Sequence, residues 1–222
     1  MSLRLPTPPP GDKVLGVTHS FLYALIALLV ILDPAGTAVL FAAMTPQDGY
    51  AERAEQARRA CLIAFVVLAL FGIVGEGVLR ALGIGLPAMR VAGGVLLFLT
   101  AADMVRARSG ARVDAREQQA AAATPDDISV FPLAIPLLAG PGAITTMVLL
   151  RARAGGEWAQ VGVILAALAV ALLVTLAALL SARRVAGLLG ETGASVAGRV
   201  LGVLLAALAA QFALEGVREA LG

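Results

Sequence analysis

Residues 20–44 read SFLYALIALLVILDPAGTAVLFAAM, a stretch in which Asp33 is the only charged residue. A helix needs about 20 mostly apolar residues to cross a membrane, because the hydrocarbon core is about 30 Å thick and each helical residue rises about 1.5 Å. Pro34 lies near the middle of the stretch, and an interior proline costs a helix about 3 kcal/mol because it removes an N–H donor and clashes with the preceding turn. The stretch therefore predicts a membrane-spanning helix that breaks at Asp33 and Pro34.

A second uncharged stretch, residues 128–150, contains Ala139-Gly140-Pro141-Gly142-Ala143 near its centre. A proline flanked by glycines predicts a second break. Broken helices are tolerated at mid-membrane depth only where the freed backbone is buried in protein or lines a wet cavity. The two breaks are therefore the best indication of a binding site in this sequence.

Each break also has the sequence of a new helix start. Asp33 and Gly140 stand at N-cap positions, and each is followed by a proline, which is favoured at the first helical position. The N-terminus of a helix carries a partial positive charge and free N–H groups, so it attracts anions. We expect two such ends to meet near the middle of the membrane, where a carboxylate would fit.

The rest of the chain supplies four more apolar stretches, namely residues 60–79, 87–105, 158–182 and 195–217. The mean hydropathy is +0.90, and 59% of the residues are hydrophobic against 14% charged, which excludes a water-soluble monomer. The predicted fold class is an all-α membrane protein with six transmembrane helices, of which the first and the fourth are broken at mid-membrane.

The six helices fall into two halves of three. Residues 1–18 are the predicted N-terminal tail, 19–107 and 128–222 the two three-helix halves, and 108–127 a cytoplasmic linker that mixes arginine with acidic residues. Three helices per half is an odd number, so an internal duplication must be inverted in the membrane. Residues 90–102 and 199–211 align with six identities in 13 positions. The sequence therefore predicts two inverted repeats, a plan that many transporters combine with a midplane site.

Small and polar residues beside the breaks are the candidate substrate contacts. Asp33 has no basic residue within ten positions, and an isolated acid at the membrane centre indicates a function. It either only caps the second half-helix, or it also faces a substrate ammonium or Na⁺ when ionised, or it carries a coupling proton when protonated. Gln211 must hydrogen-bond either another helix or the substrate. The predicted set is Asp33, Gly36 and Thr37 at the first break, Gly140, Gly142, Ala143, Thr145 and Thr146 at the second, Gln211 in the last helix, and Pro34 and Pro141 as the breaks themselves.

The composition argues against several other functions. One cysteine, Cys61, and one histidine, His19, cannot form a disulfide or a His/Cys metal cluster. The 17 basic and 15 acidic residues are too balanced for a nucleic-acid-binding surface. The chain has no His-Glu-x-x-His, Gly-x-Ser-x-Gly or phosphate-binding loop motif, so we expect neither enzyme activity nor a cofactor. Uphill transport would then draw on a gradient of Na⁺ or H⁺. The expected partners are a small-molecule substrate and the lipid bilayer, and the sequence is compatible with an oligomer.

The motifs together resemble the MarC family of bacterial six-helix membrane proteins, which is grouped with small neutral amino acid transporters. The most specific stretch is FPLAIPLLAGPGAITT at residues 131–146, supported by LDPAGT at 32–37, LGIGLPAMRVAGG at 82–94 and RVLGVLLAALAAQF at 199–212. The chain departs from the family pattern at residues 35–37, where Ala-Gly-Thr replaces the commoner Leu-Gly-Asn. The missing asparagine alters the polar groups available at the first break.

The resemblance implies an integral protein of the bacterial cytoplasmic membrane that transports small neutral amino acids such as glycine and alanine. A zwitterionic substrate would lie between the breaks, with its carboxylate at residues 140–143 and its ammonium near Asp33. An exporter or a passive channel for another small polar solute is the alternative, and a channel would show no saturable counterflow.

The distribution of basic residues predicts the orientation of the chain. Ten lysines and arginines lie on the side that holds the 108–127 linker and seven on the opposite side, and cytoplasmic segments are enriched in these residues. We therefore expect both termini outside: a reporter fused after Gly222 should be active on the outer face and one inserted in the linker on the cytoplasmic face. Reporters that respond on the same face would contradict the inverted repeat.

Overall fold

The computed structural model describes residues 10–106, 129–155 and 157–221, and every element in these ranges is helical. The tail before residue 10 and the predicted linker, 108–127, lie outside the described residues. The eight helical segments are α1 (Pro10–Leu32), α2 (Pro34–Met44), α3 (Tyr50–Ala81), α4 (Leu86–Val105), α5 (Ser129–Leu138), α6 (Pro141–Arg153), α7 (Trp158–Leu180) and α8 (Ala182–Leu221).

The first helix begins earlier than the sequence suggested. Residues 10–18 belong to α1, although they were expected in the N-terminal tail. No proline follows Pro10 before the break at residue 34, and a proline at the start of a helix costs nothing because its missing N–H would have had no helical partner. Residues 10–18 are therefore helical, whereas the boundary between the tail and the first membrane span stays a prediction.

Within the part of the chain that the structure describes, five segments are long and apolar enough to cross a membrane, and they correspond to five of the six predicted spans. They are Val17–Met44, Tyr50–Gly75, Leu86–Val105, Trp158–Leu180 and Gly198–Leu221. The predicted fourth span, residues 128–150, is divided into α5 and α6, of ten and 13 residues. Each piece alone is shorter than the membrane is thick, so the described helices do not by themselves establish a count of six.

Segment α5 is π-helical, a form that the sequence did not predict. Its last turn is closed by the N–H of Ala139, which donates to the carbonyl of Ala134 at 2.8 Å, a bond five residues back. Pro132 and Pro136 lie within the segment and have no N–H to give to an α-helical ladder. Wider turns of this kind are rare and occur mostly near functional sites.

The closest helix pair is formed by α4 and α8, which run antiparallel. A Cβ atom on Gly94 would lie 2.7 Å from the carbonyl oxygen of Ala209, and one on Gly202 would lie 3.1 Å from the carbonyl oxygen of Ala101. The two backbones approach so closely because these positions are glycines. The spacing Gly198-x-x-x-Gly202 predicts such a contact for both of its glycines. Beyond the adjacent backbone of α8, however, no atom of the described residues lies within 4 Å of a Cβ on Gly198.

The two broken spans lie inside the largest buried cluster. Leu32 and Ala38 flank the first break and Leu138 and Ala143 the second, and all four are at most 4% exposed. In contrast, many large apolar side chains of α3, α4 and α8 are exposed, as expected of helix faces that contact lipid. The fold therefore buries the residues that flank the breaks, while residues 33–36 are half-buried and Pro141 is exposed. The unbroken helices are left to face the membrane.

The α4–α8 contact gives a direct stability test. Gly94→Ala should destabilise the protein by about 1–3 kcal/mol, because the added methyl group meets backbone atoms that cannot move aside. Gly198→Ala adds the same group in open space and should raise stability slightly, by up to about 1 kcal/mol, because alanine favours a helix over glycine. The thermal stability of both variants can be measured by heating with a fluorogenic maleimide, since the buried thiol of Cys61 reacts only after unfolding. Superimposable curves for the two variants would contradict this account of the interface.

Candidate functional site

The first break is capped by its own aspartate. The backbone of Asp33 adopts a left-handed conformation (φ 40°, ψ 69°) between α1 and α2. Its carboxylate Oδ1 accepts a hydrogen bond from the N–H of Gly36 at 3.1 Å, and Pro34 occupies the first position of α2. The predicted N-cap at the first break is therefore confirmed, with the side chain reaching the N3 position as caps usually do.

The break also frees a carbonyl group, which Thr37 satisfies. The Leu32 carbonyl would normally accept from residue 36, but the N–H of Gly36 is directed to Asp33 instead. The Thr37 hydroxyl donates to the Leu32 oxygen at 2.8 Å, and Thr37 is only 5% exposed. Sequence reasoning placed Thr37 at the substrate and missed this structural role, which a hydroxyl residue shortly after a mid-membrane proline should suggest.

Gly36 is required by the cap itself. A Cβ atom at this position would lie 2.3 Å from the Asp33 Oδ2 atom. No side chain fits there unless the carboxylate moves away from the Gly36 N–H. Gly36 therefore supports the first break through Asp33, whether or not it also contacts a substrate.

The second break lacks a side-chain cap. Gly140 is extended at the N-cap position and has no side chain to offer, and Pro141 follows at the first position of α6. The N–H groups of Gly142 and Ala143 lie in the first turn, where a helix has no carbonyl partner for them. Both residues are buried. This end of α6 thus presents two backbone donors and a partial positive charge, which is the chemistry of an anion site.

The two predicted threonines of α6 have different surroundings. The Thr146 hydroxyl donates to the Gly142 carbonyl at 2.9 Å and is fully buried. The Thr145 methyl group packs on α4, where a Cβ on Gly93 would lie 2.4 Å from it. Both side chains therefore have packing or hydrogen-bonding roles within the protein, and their contact with a substrate stays a prediction.

The fold brings the two breaks into contact. A Cβ on Gly142 would lie 3.0 Å from Cδ1 of Ile31, two residues before Asp33, and 3.4 Å from Cδ2 of Leu97 in α4. The start of α6 thus packs against the end of α1. This contact is made by apolar side chains, and the expectation that the two helix ends meet at a common site stays a prediction.

Gln211, the ninth predicted contact, belongs to a separate polar cluster. It is exposed on α8, and its Nε2 donates to Oε1 of Glu215 at 2.9 Å. Glu215 in turn binds Arg153 at the end of α6, at 2.5–2.6 Å. A second ion pair, Arg90 with Glu219, joins α4 and α8 nearby. We call the end of the molecule that holds these pairs, where α1, α4 and α7 begin, the outer end, after the predicted orientation.

The outer cluster was not found from the sequence. Arg153 and Glu215 lie 62 positions apart, and no local motif links residues at that separation. The described residues contain no group of three or more His, Cys, Asp or Glu side chains that could hold a metal ion.

Comparison with known proteins agrees with this architecture. The model of the family described as MarC family integral membrane protein matches residues 18–221. A UPF0056 membrane protein of Archaeoglobus fulgidus is 35% identical over 209 residues, which cover 94% of this chain and 97% of that protein. The UPF0056 membrane protein YvbG of Bacillus subtilis is 32% identical, covering 87% and 90%, and YhcE of Escherichia coli is 29% identical, covering 87% and 89%. No solved structure matches.

Three substitutions test the geometry of the first break. Asp33→Ala removes the acceptor for Gly36 and should lower stability by about 1 kcal/mol, whereas asparagine caps nearly as well as aspartate and Asp33→Asn should be close to wild type. Gly36→Ala should lower stability by a similar amount, because the methyl group displaces the Asp33 carboxylate. Gly162→Ala in α7 is the matched control, since nothing lies within 4 Å of its Cβ. The Cys61 thiol assay ranks all four, and a stabilised Gly36→Ala variant would contradict the cap.

Proposed function

The chain belongs to the MarC family of integral membrane proteins, and from this premise we propose that it is a secondary transporter of small neutral amino acids of the glycine and alanine class. The observation that carries the proposal is the uncapped start of α6, where Gly142 packs against Ile31, two residues before Asp33. Transport would be coupled to a gradient of Na⁺ or H⁺, and the substrate would bind between the breaks.

The substrate carboxylate takes the place of the missing cap at α6. The N–H groups of Gly142 and Ala143 donate to its oxygens, and the helix dipole adds to the attraction. Each such charge-assisted bond contributes about 1.5–3 kcal/mol. Gly140 and Ala143 have side chains no larger than a methyl group, so a ligand can approach the backbone.

The substrate ammonium or the coupling cation is assigned to Asp33. Its hydrogen bond to Gly36 uses Oδ1, and Oδ2 remains as an acceptor for a second partner. Capping and ligand binding are therefore compatible roles of one carboxylate. The same group would carry the proton if the coupling ion is H⁺.

Small substrates are favoured by the packing between the breaks. Ile31 and Leu97 occupy the space beside Gly142, so a ligand reaches the α6 donors only when these side chains move apart. A site that opens by separating two packed breaks admits glycine or alanine more readily than a larger amino acid. Such separation is also the movement that alternating access requires.

The helix contacts support six spans arranged as inverted repeats. Segment α3 packs against α5 and α6, and α7 packs against α1 and α2. The contacts of α4 with α8 and of α3 with α7 each join one helix of the first half to its counterpart in the second, and α2 packs against α8 as α6 packs against α4. A pseudo-two-fold axis that exchanges the two halves would therefore map these contacts onto one another. In this proposal α5 and α6 form the fourth span, and both termini lie outside the bacterial cytoplasmic membrane.

The decisive measurement is uptake of labelled amino acids into proteoliposomes under imposed Na⁺ or H⁺ gradients. We expect saturable uptake and counterflow of glycine and alanine by the wild-type protein. Asp33→Asn should reduce uptake by about 30-fold or more, because removal of one partner from a buried charge pair costs about 2 kcal/mol or more. Near-normal uptake by this variant would remove Asp33 from the site and leave it as a cap.

A bulky side chain at position 142 tests whether the N–H groups at the start of α6 bind the substrate. Gly142→Leu should abolish uptake, and Gly77→Leu, which has no atom within 4 Å of its Cβ on the exposed side of α3, is the matched control. The Cys61 thiol assay verifies that both variants remain folded. If the Gly142→Leu variant does not fold, Gly142→Ala is the smaller substitution at the same position. Full uptake by a folded Gly142→Leu protein would place the substrate elsewhere. Absence of saturable counterflow in the wild-type protein would favour a channel over a transporter.

A further inference from the structure

A half-open cavity of about 460 Å³ lies at the outer end, apart from the two breaks. It is bounded by the middle of α1, the end of α6 and the start of α7. Its polar lining consists of His19, Ser20, Tyr23, Arg153, Glu157 and Gln160. The lining therefore contains a guanidinium and a carboxylate, which are four positions apart in the chain.

The guanidinium of Arg153 is held in place by side chains of α1 and α8. Its Nη2 binds both carboxylate oxygens of Glu215 at 2.5–2.6 Å. Its Cζ lies 4.6 Å from the ring centre of Tyr23 and 5.1 Å from that of Phe212, within the range of cation–π contacts. Three other side chains thus fix the position of this one cation.

These contacts leave much of the arginine fork unused. Only Nη2 takes part in the ion pair with Glu215, and Arg153 makes no other side-chain hydrogen bond within the described part of the chain. The side chain is 29% exposed and lines the cavity, so the guanidinium can be reached by a ligand in the cavity. A planar guanidinium with fixed orientation and spare donors is well suited to bind a carboxylate.

Glu157 supplies the opposite charge. It occupies the N-cap position of α7, but its side chain makes no capping hydrogen bond there. The residue is exposed and lines the cavity. Its carboxylate is therefore available to a cationic group of a ligand that is bound at Arg153.

The cavity floor leads toward the two breaks. Ala24 and Leu150 line the cavity, and both are buried. Leu150 lies eight residues after Gly142 on α6, and Ala24 lies nine residues before Asp33 on α1, which corresponds to about 12–14 Å along each helix. The cavity thus opens at the outer end of the two helices that form the proposed central site.

We propose that this cavity is a second binding site, on the outer side, for the zwitterion of a small α-amino acid. The substrate carboxylate binds the free donors of Arg153, and its ammonium binds Glu157. A ligand that carries only one charge leaves the other protein group without a partner, so the site selects zwitterions before they reach the breaks. The identity of the ligand rests on the proposed transport function, whereas the site itself rests on the cavity and its two charges.

Trp158 makes the site observable. It is the only tryptophan of the chain, it follows Glu157 directly, and it is 70% exposed. In nanodiscs, glycine should change its fluorescence saturably, and acetate and methylammonium should act at least about tenfold more weakly. Arg153→Gln and Glu157→Gln should each raise the apparent Kd for glycine about tenfold, the effect of losing about 1.4 kcal/mol. Arg90→Gln, which breaks the neighbouring ion pair with Glu219, is the matched control and should leave the Kd unchanged.

The outcomes separate this site from the central one. Gly142→Leu should lose uptake and keep the fluorescence response, and Arg153→Gln should raise the apparent KM for uptake about tenfold while the maximal rate is kept. An unchanged Kd and KM in both Arg153→Gln and Glu157→Gln would overturn the outer site and leave the transport proposal intact. A stronger response to glycerophosphoethanolamine than to glycine would assign the cavity to a lipid headgroup and also overturn it. A zwitterion response in a protein that transports no amino acid would sustain the outer site and refute the transport function.

Discussion

The structure depends on one constraint: a polypeptide backbone that leaves the α-helical ladder inside a membrane finds no water to satisfy its N–H and C=O groups. Pro34 and Pro141 impose that departure twice. Each unsatisfied group costs several kcal/mol in hydrocarbon, so both breaks must be buried in protein. The packing of α1, α2, α5 and α6 into one buried cluster follows from this requirement, and the unbroken helices cover them.

The two breaks meet the constraint in different ways. At the first, Asp33 receives the Gly36 N–H and Thr37 supplies a donor to the Leu32 carbonyl, so the protein satisfies its own backbone. At the second, glycine replaces the aspartate, and the start of α6 has no side-chain cap. The two N-cap residues differ by one carboxylate, and this difference separates a break with a side-chain cap from a break without one.

Much of the fold could be predicted from local sequence, because long uncharged runs and mid-run prolines act through short-range physics. The cap at Asp33 follows from its position before Pro34. The π-helical form of α5 could not be predicted, since it depends on which carbonyl group accepts the N–H of Ala139 in the packed structure. The contacts of Arg153 with Tyr23, Phe212 and Glu215 join three helices, and no spacing along the chain reports them. Gln211 was expected to hydrogen-bond either another helix or the substrate, and its partner is Glu215, one turn further along α8.

The fit between Asp33 and Gly36 restricts how this sequence can evolve. A side chain at position 36 collides with the Asp33 carboxylate, so its harm exists only while the carboxylate is present. Energies at such directly interacting positions are not additive. A lineage that first loses the aspartate can accept a larger residue at position 36, and it then cannot regain the aspartate without reversing that change. The two positions should therefore form an epistatic pair, in which the order of substitutions decides which descendants are viable.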